Sequence, residues 1–329
     1  MHPHEPQRLS LAMLPTPVVE MKNLARELGI PRLLLKRDDL TGLECSGNKI
    51  RKLEYVLADA LKSGATSLVT AGGFQSNHCR ATAAAGARLG LPVRLLLRCA
   101  EADPPRDGNL LLDHLFGAEI TMHTPAEFST NRQALIDAAM DAERRMGREP
   151  YWFPIGASVP LGSWGYIRCV HELVEQIGNE KPIDLFVAVG SSGTLAGLLL
   201  GKALFCCDQW RIVGVPICDS VDYFAKEVRE LIDATTAQFK LDVTPEQTPV
   251  ELLDGFIGDG YAIPYSSAIE TIRTVARREG ILLEPTYTGK AFTGMLEMMR
   301  TAGLRPNATP MFLHTGGVFG LMARRDLFL

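Results

Sequence analysis

Lys49 and Lys52 stand three residues apart in "SGNKIRKLE", where a glycine-containing loop turns into a helical pattern. One helical turn puts both amines on the same side. An amine close to a second cation gives up its proton more readily and becomes a nucleophile or a base. Two other stretches offer groups of a complementary kind. In "AGGFQSNHCRATAAAG" a Gly-Gly turn precedes Gln75, Ser76, Asn77 and His78 at the start of a helix. In "AVGSSGTLAG" Gly190, Ser191, Ser192, Gly193 and Thr194 offer backbone donors and hydroxyls, with no basic side chain. Free N–H groups at a helix start make an anion site. The same residues also suit a plain N-cap or a tight strand-to-helix turn. A third stretch, "FLHTGGVFG", leaves a strand end with Thr315, Gly316 and Gly317.

These pieces need a scaffold that gathers strand ends. Short branched apolar runs predict strands at 33–37, 67–71, 93–98, 119–123, 185–189, 211–215 and 311–315. Helical patterns fall between them, at 49–63, 77–89, 108–116, 131–146, 163–177, 194–206, 220–236, 265–279 and 289–302. This alternation is an α/β class with two open, twisted, mostly parallel sheets and helices on both faces. Such sheets bind ligands at the carboxyl ends of their strands. Gly64, Gly90, Gly117, Gly178, Gly280 and Gly303 are placed to end helices. In the helix from Lys49, the residues Ile50, Leu53, Leu57 and Leu61 form the expected buried stripe, and Arg51 points away in a structural role. Residues 100–108 and 238–250 read as loops. The division expected is a large unit, 1–53 with 163–329, and a smaller inserted α/β unit, 54–162.

Composition removes several function classes. The 329 residues are 46% hydrophobic, enough for a sizeable core, and the net charge of -4 offers no basic field for nucleic acid or an anionic membrane. Cys45, Cys79, Cys99, Cys169, Cys206, Cys207 and Cys218 show no CxxC spacing, which suits a reducing cytoplasm better than a disulfide framework. The histidines form no HxxxH pair, so no metal site is expected. No apolar run is long enough to span a bilayer.

A phosphate-binding turn without its own cation, with a lysine at the start of another helix, is what an enzyme holding pyridoxal phosphate needs. One group cradles the phosphate and the other forms the Schiff base. Lys49 fits the second role, and Lys52 lends charge to the phosphate while lowering the pKa of Lys49. The order "KRDD", "SGNKIRKLE", "AGGFQSNHCRATAAAGARLGL", "VGSSGTLAG", "GYAIP", "EPTYTGKAFTGM" and "HTGG" resembles, nearly end to end, the D-cysteine desulfhydrase and 1-aminocyclopropane-1-carboxylate deaminase family. The resemblance implies the tryptophan synthase β fold type and pyridoxal 5'-phosphate as cofactor.

Residue by residue, the resemblance makes Lys49 the Schiff-base lysine and Asn77 the partner of the cofactor's ring oxygen. Ser191, Ser192, Gly193 and Thr194 correspond to the phosphate loop. Ser76 stands beside the substrate, whose carboxylate meets the backbone at 76–78, including His78. Gly162 and Trp164 fall in a turn that borders the substrate in relatives, and Tyr261 and Tyr287 line the active site. Thr288 stands where cyclopropane-opening relatives carry glutamate, and Thr315 where they carry leucine, both within the cofactor's surroundings. The two threonines are similar to the β-eliminating branch, since a hydroxyl protonates the pyridine nitrogen less firmly than a carboxylate does. The expected activity is a carbon–sulfur lyase releasing sulfide, pyruvate and ammonia from D-cysteine. Cyclopropane deamination, elimination from L-cysteate or an S-substituted cysteine, and a non-catalytic cofactor-binding protein are the alternatives. The partners expected are a small amino acid and a second copy in a homodimer, with the inserted unit closing over substrate.

Overall fold

The computed structural model describes residues 2–101, 103–301 and 303–329. Met1 of the predicted large unit, Ala102 of the predicted loop and Ala302 at the predicted end of the last long helix lie outside them. In chain order the strands are β1 (Val18–Glu20), β2 (Leu34–Lys36), β3 (Ser67–Gly73), β4 (Val93–Arg98), β5 (Glu119–His123), β6 (Pro150–Trp152), β7 (Ile183–Val189), β8 (Trp210–Pro216), β9 (Glu251–Leu252) and β10 (Thr309–Leu313). The helices are α1 (Lys22–Glu27), α2 (Lys49–Lys62), α3 (Asn77–Leu89), α4 (Gly108–Leu115), α5 (Pro125–Arg145), α6 (Pro160–Ile177), α7 (Gly193–Leu204), α8 (Val221–Phe239), α9 (Ser266–Glu279), α10 (Thr288–Thr301) and α11 (Val318–Met322).

A six-stranded sheet runs β1-β2-β10-β7-β8-β9, and a four-stranded sheet runs β5-β4-β3-β6. Every pairing is parallel except β1 with β2. Parallel sheets carry helices on both faces, so their central strands are apolar on both sides, and all seven residues of β7 are buried. Alternate residues feed separate cores. Leu185 and Val187 pack with Trp164, Leu195 and Val228, while Phe186 packs with Val213, Met295 and Phe312. The small sheet sends Leu68 and Leu95 toward Cys79 and Ala83, and Val69 and Leu96 toward Phe128.

Helix α2 belongs to both halves of this architecture. Ile50, Leu53 and Leu57 enter the small-sheet core, whereas Tyr55 joins the core of the large sheet. Leu61, expected in the same stripe, is 39% exposed, because Ala60 takes the buried position in the last turn. Arg51 is structural, as read. Its guanidinium donates to both oxygens of Asp38 at 2.8 Å, to Glu172 at 2.9 and 3.0 Å and to Thr16 Oγ1 at 3.0 Å. Tyr166 donates to Asp38 at 2.7 Å, and Lys36 pairs with Glu172. This buried network anchors α2 to the large sheet.

The structure corrects several boundaries. Helix α5 begins at Pro125 rather than 131, because Thr124 and Glu127 form a reciprocal capping box ahead of it, and a kink falls at Asn131. Strand β10 stops at Leu313, leaving Thr315 in the turn beyond. The short strands β1, β6 and β9 and the helices α1 and α11 carry no strong periodic pattern and were not expected. The six helix-ending glycines all sit at positive φ, between 66° and 78°, where a side chain would strain the backbone. Among the described residues, no helix is long and apolar enough to cross a membrane.

Candidate active site

The carboxyl ends of β3, β7 and β10 and the start of α2 converge on one small cavity. Asn48 and Lys49 reach it from the start of α2, and Asn77 from the start of α3. Gly190, Ser191 and Thr194 arrive from the turn after β7, with Tyr287 ahead of α10 and Thr315 after β10. Five separate stretches of chain thus supply one small space, with no carboxylate among its described lining.

The two amines behave differently from expectation. Lys49 Nζ lies 3.4 Å from Ser191 Oγ, and burial pushes its pKa down to about 8. Burial is the leading cause for Lys49, and the contact with Lys52 raises its pKa rather than lowering it. Lys52 is the side chain that yields: burial, then the charge of Lys49, holds its pKa well below the usual lysine value. Lys52 Nζ is fully enclosed and has no hydrogen-bond partner among the described residues. A Cβ added to Gly193 would stand 3.3 Å from that amine and 3.1 Å from Ser158 Oγ. The Gly193 N–H donates to Ser158 Oγ at 3.2 Å, and Asn48 Nδ2 donates to Thr194 Oγ1 at 3.0 Å. A helix start, a glycine whose side-chain position is crowded and an unpartnered buried amine form a donor set that no anion of the chain answers. That set fits a phosphate.

Other predicted residues divide into those at the cavity and those behind it. Tyr261 and Tyr287 share a hydrogen bond of 2.7 Å between their hydroxyls, with Tyr261 38% exposed. Ser76 is the N-cap of α3, its Oγ accepting from Cys79 N at 3.2 Å, and it lies beside Asn77. His78 is turned into the core, its Nε2 2.9 Å from Thr70 Oγ1 and its ring edge-on to Phe153. Ser192 is the buried N-cap residue of α7 and does not reach the cavity.

Three residues are placed away from where they were expected. Pro160 starts α6 early, so Gly162 and Trp164 are helical rather than in a turn. Trp164 is 1% exposed and packs edge-on against Phe239 at 5.4 Å, outside the cavity. Gly162 backs onto the Ala157 carbonyl and the Lys52 stem, allowing close contact behind the amine. Thr288 begins α10, and its Oγ1 accepts from Glu284 N at 2.9 Å instead of facing the cavity.

Sequence reasoning missed Asn48, Ser158 and Glu284. Asn48 sits beside Lys49 in the quoted "GNK", the one available signal. Glu284 accepts from the N–H groups of Thr286, Tyr287 and Thr288 at 2.6–2.8 Å, tying down the start of α10. Burial nevertheless pushes its carboxyl up to about 7. No group of three His, Cys, Asp or Glu among the described residues is arranged to hold a metal ion.

Comparison with known proteins identifies the family. The family model for pyridoxal-phosphate dependent enzymes matches residues 9–316. A Thermotoga maritima protein provisionally named a 1-aminocyclopropane-1-carboxylate deaminase is 43% identical, covering 96% of this chain and 98% of its own. A mitochondrial Arabidopsis thaliana protein, named a bifunctional D-cysteine desulfhydrase/1-aminocyclopropane-1-carboxylate deaminase, is 38% identical over 96% of this chain and 80% of its own. A crystal structure described as an ACC deaminase homologue superposes with a TM-score of 0.89 at 36% identity, covering 99% of this chain and 98% of that one. The chain therefore belongs to the pyridoxal-phosphate dependent enzymes, within the D-cysteine desulfhydrase and 1-aminocyclopropane-1-carboxylate deaminase family, and its cofactor is pyridoxal 5'-phosphate.

Proposed function

We propose that the protein is a lyase that removes the α-proton of a small β-substituted amino acid and expels the β-substituent, D-cysteine and water giving sulfide, pyruvate and ammonia. The observation that carries this reading is the cavity lining: a lysine amine, amides and hydroxyls including Thr315, with no carboxylate among the described residues. When bound, pyridoxal 5'-phosphate supplies an aldehyde for amines and an electron sink for the α-carbon. A good β-leaving group needs less of that sink than a cyclopropane does.

In this proposal Lys49 is the amine that holds the cofactor and then the base that takes the α-proton. A pKa of about 8 leaves a useful neutral fraction near neutral pH. Lys52, with the N–H groups at 191–194 and the hydroxyls of Ser191 and Thr194, holds the phosphate. Asn77 donates to the ring oxygen, and Ser76 with the backbone at 76–78 receives the substrate carboxylate. The hydrogen-bonded Tyr287 and Tyr261 carry a proton between the cavity and its exposed edge, where a thiolate leaves. Residues 54–162 act as an inserted unit bringing Ser76 and Asn77 down on Lys49. This division is supported by the four strands of the small sheet, which all lie between residues 67 and 152. We further read the enzyme as a cytoplasmic homodimer, supported on the first point by seven free cysteines.

A second reading, cyclopropane opening, is favoured by Glu284. Its carboxyl lies against Thr288, the position where a carboxylate serves that reaction in relatives. Keto-acid release from D-cysteine, L-cysteate and aminocyclopropane carboxylate, with D- and L-forms compared, separates the two. D-cysteine is expected to have the highest kcat/KM, and a preference for the cyclopropane would establish the second reading instead. Borohydride reduction of the holoenzyme should attach the cofactor to the peptide carrying Lys49. Attachment at Lys52 or Lys290 would overturn the assignment of the amine.

A further inference from the structure

Asn77 does not stand alone at the cavity wall. Its Oδ1 accepts from Asn109 Nδ2 at 3.1 Å, and the same Nδ2 donates to the Gln75 carbonyl at 3.0 Å. Asn109 Oδ1 accepts in turn from Arg80 Nε at 2.8 Å. An arginine can only donate, so this chain has one polarity: the Asn109 oxygen must face Arg80, its nitrogen must face Asn77, and the Asn77 nitrogen is left for the cavity. Arg80 is fully buried, and its remaining nitrogens bind the Glu44 and Ser46 carbonyls, the latter at 2.7 Å, in the loop that leads to Lys49.

We propose that Arg80, acting through Asn109, is a positioning residue that fixes the Asn77 amide with its N–H group toward the cofactor, and thereby favours the ionised form of the cofactor's ring oxygen. This rests on the reading of Asn77 as the partner of that oxygen. With the amide turned over, an oxygen would face an oxygen. The donor would be lost, and the proton shared by the ring oxygen and its neighbouring nitrogen would be held to higher pH.

Asn109→Asp tests this with almost no change of shape. An aspartate beside Arg80 still accepts from it but cannot donate to Asn77, so the Asn77 amide turns to donate backward. The readouts are the pH dependence of the visible absorbance of the holoenzyme, the affinity of the apoprotein for pyridoxal 5'-phosphate, and denaturation. The expected result is a titration midpoint raised by about one pH unit and cofactor binding weakened about tenfold in a folded protein, with unfolding made somewhat easier by the bond lost to the Gln75 carbonyl. Lys49 and Lys52 on α2, His78 on α3, Asp113 beside Arg80, and Glu284 and Tyr287 before α10 stay the same in every variant.

The added negative charge is controlled by repeating the change in Asn77→Ala. There Asn109→Asp should move the midpoint no further, and a shift that persists would overturn the relay. Asn109→Leu frees the amide to turn and should raise the midpoint by a smaller amount. An unshifted midpoint in Asn109→Leu or in Asn109→Asp also overturns the proposal. If Asn77→Ala itself leaves the midpoint unmoved, the underlying reading of Asn77 fails instead.

Discussion

Arg51 and Lys52 are consecutive residues on α2, both cations and both buried, at 1% and 0% exposure. Their surroundings are opposite. Arg51 meets Asp38, Glu172 and Thr16 in a network where every charge has an answer inside the protein. Lys52 has no hydrogen-bond partner among the described residues, and its nearest charged neighbour is another amine. A buried ion with all its partners in the chain is explained by folding. A buried amine with none, facing a glycine at a helix start, is explained by an anion that the chain does not itself contain.

The largest effect that would test this contrast comes from Arg51→Met. It leaves Asp38 and Glu172 as buried carboxylates without their cation and should cost about 3–5 kcal/mol of stability. Chemical denaturation measures it, and a loss under about 1 kcal/mol would show that the network is not what holds α2. Lys52→Met should do the reverse. The apoprotein should unfold at equal or higher denaturant, since an unpartnered amine is replaced by an apolar side chain of similar length. Cofactor affinity should fall about 10- to 100-fold, the value of one charge-assisted contact to phosphate. Equal affinity in titration of the two apoproteins would remove Lys52 from the phosphate site.

An effect smaller per pH unit follows from Lys49. Between about 8 and its ordinary 10.5, the unfolded chain keeps a proton on Lys49 that the folded apoprotein has lost. The unfolded state therefore binds more protons, and apoprotein stability should rise with pH through this window by up to about 1.4 kcal/mol per unit. Loading with pyridoxal 5'-phosphate should remove that rise, and parallel apo and holo profiles would contradict the assignment. Smallest of all, Trp164→Phe should change stability by about 1 kcal/mol or less and leave KM for substrate unchanged, because the ring packs on Phe239 and its N–H has no partner among the described residues. A KM shift of tenfold would return Trp164 to the substrate's neighbourhood.

The parts of the site legible in the sequence are those where local pattern and chemistry coincide. Lys49, Asn77, Ser191, Thr194, Tyr287 and Thr315 all meet at the cavity. Each lies at or beside the end of an element whose own pattern is strong: β3 and β7 are buried throughout, and α3 is bounded by Ser76 and Gly90. Asn48 and Ser158 were hidden because their partners come from distant stretches, as when Asn48 reaches Thr194, whereas Glu284 was hidden because nothing in its local pattern marks a carboxylate that becomes buried. Thr288 and Trp164 were misplaced for a local reason. Proline at the first turn of α6 and the carboxylate of Glu284 at the start of α10 set helix starts that rotate these side chains away from the cavity. The edge strands β1, β6 and β9 have two or three residues each, too few for an alternation to register.

The position of β10 bears on how the protein is made. Met311 pairs with Leu34 on one side and Leu185 on the other, so the tenth strand in the chain fills the middle of the large sheet. During synthesis β2 and β7 emerge long before their shared neighbour, each with an apolar strand edge open to the wrong partner. Thr315, just after that strand, is among the last cavity residues to be made. Cofactor capture is therefore a late event on the ribosome's timetable, and gain of cofactor absorbance is a natural reporter of whether a nascent chain closed its sheet before it aggregated.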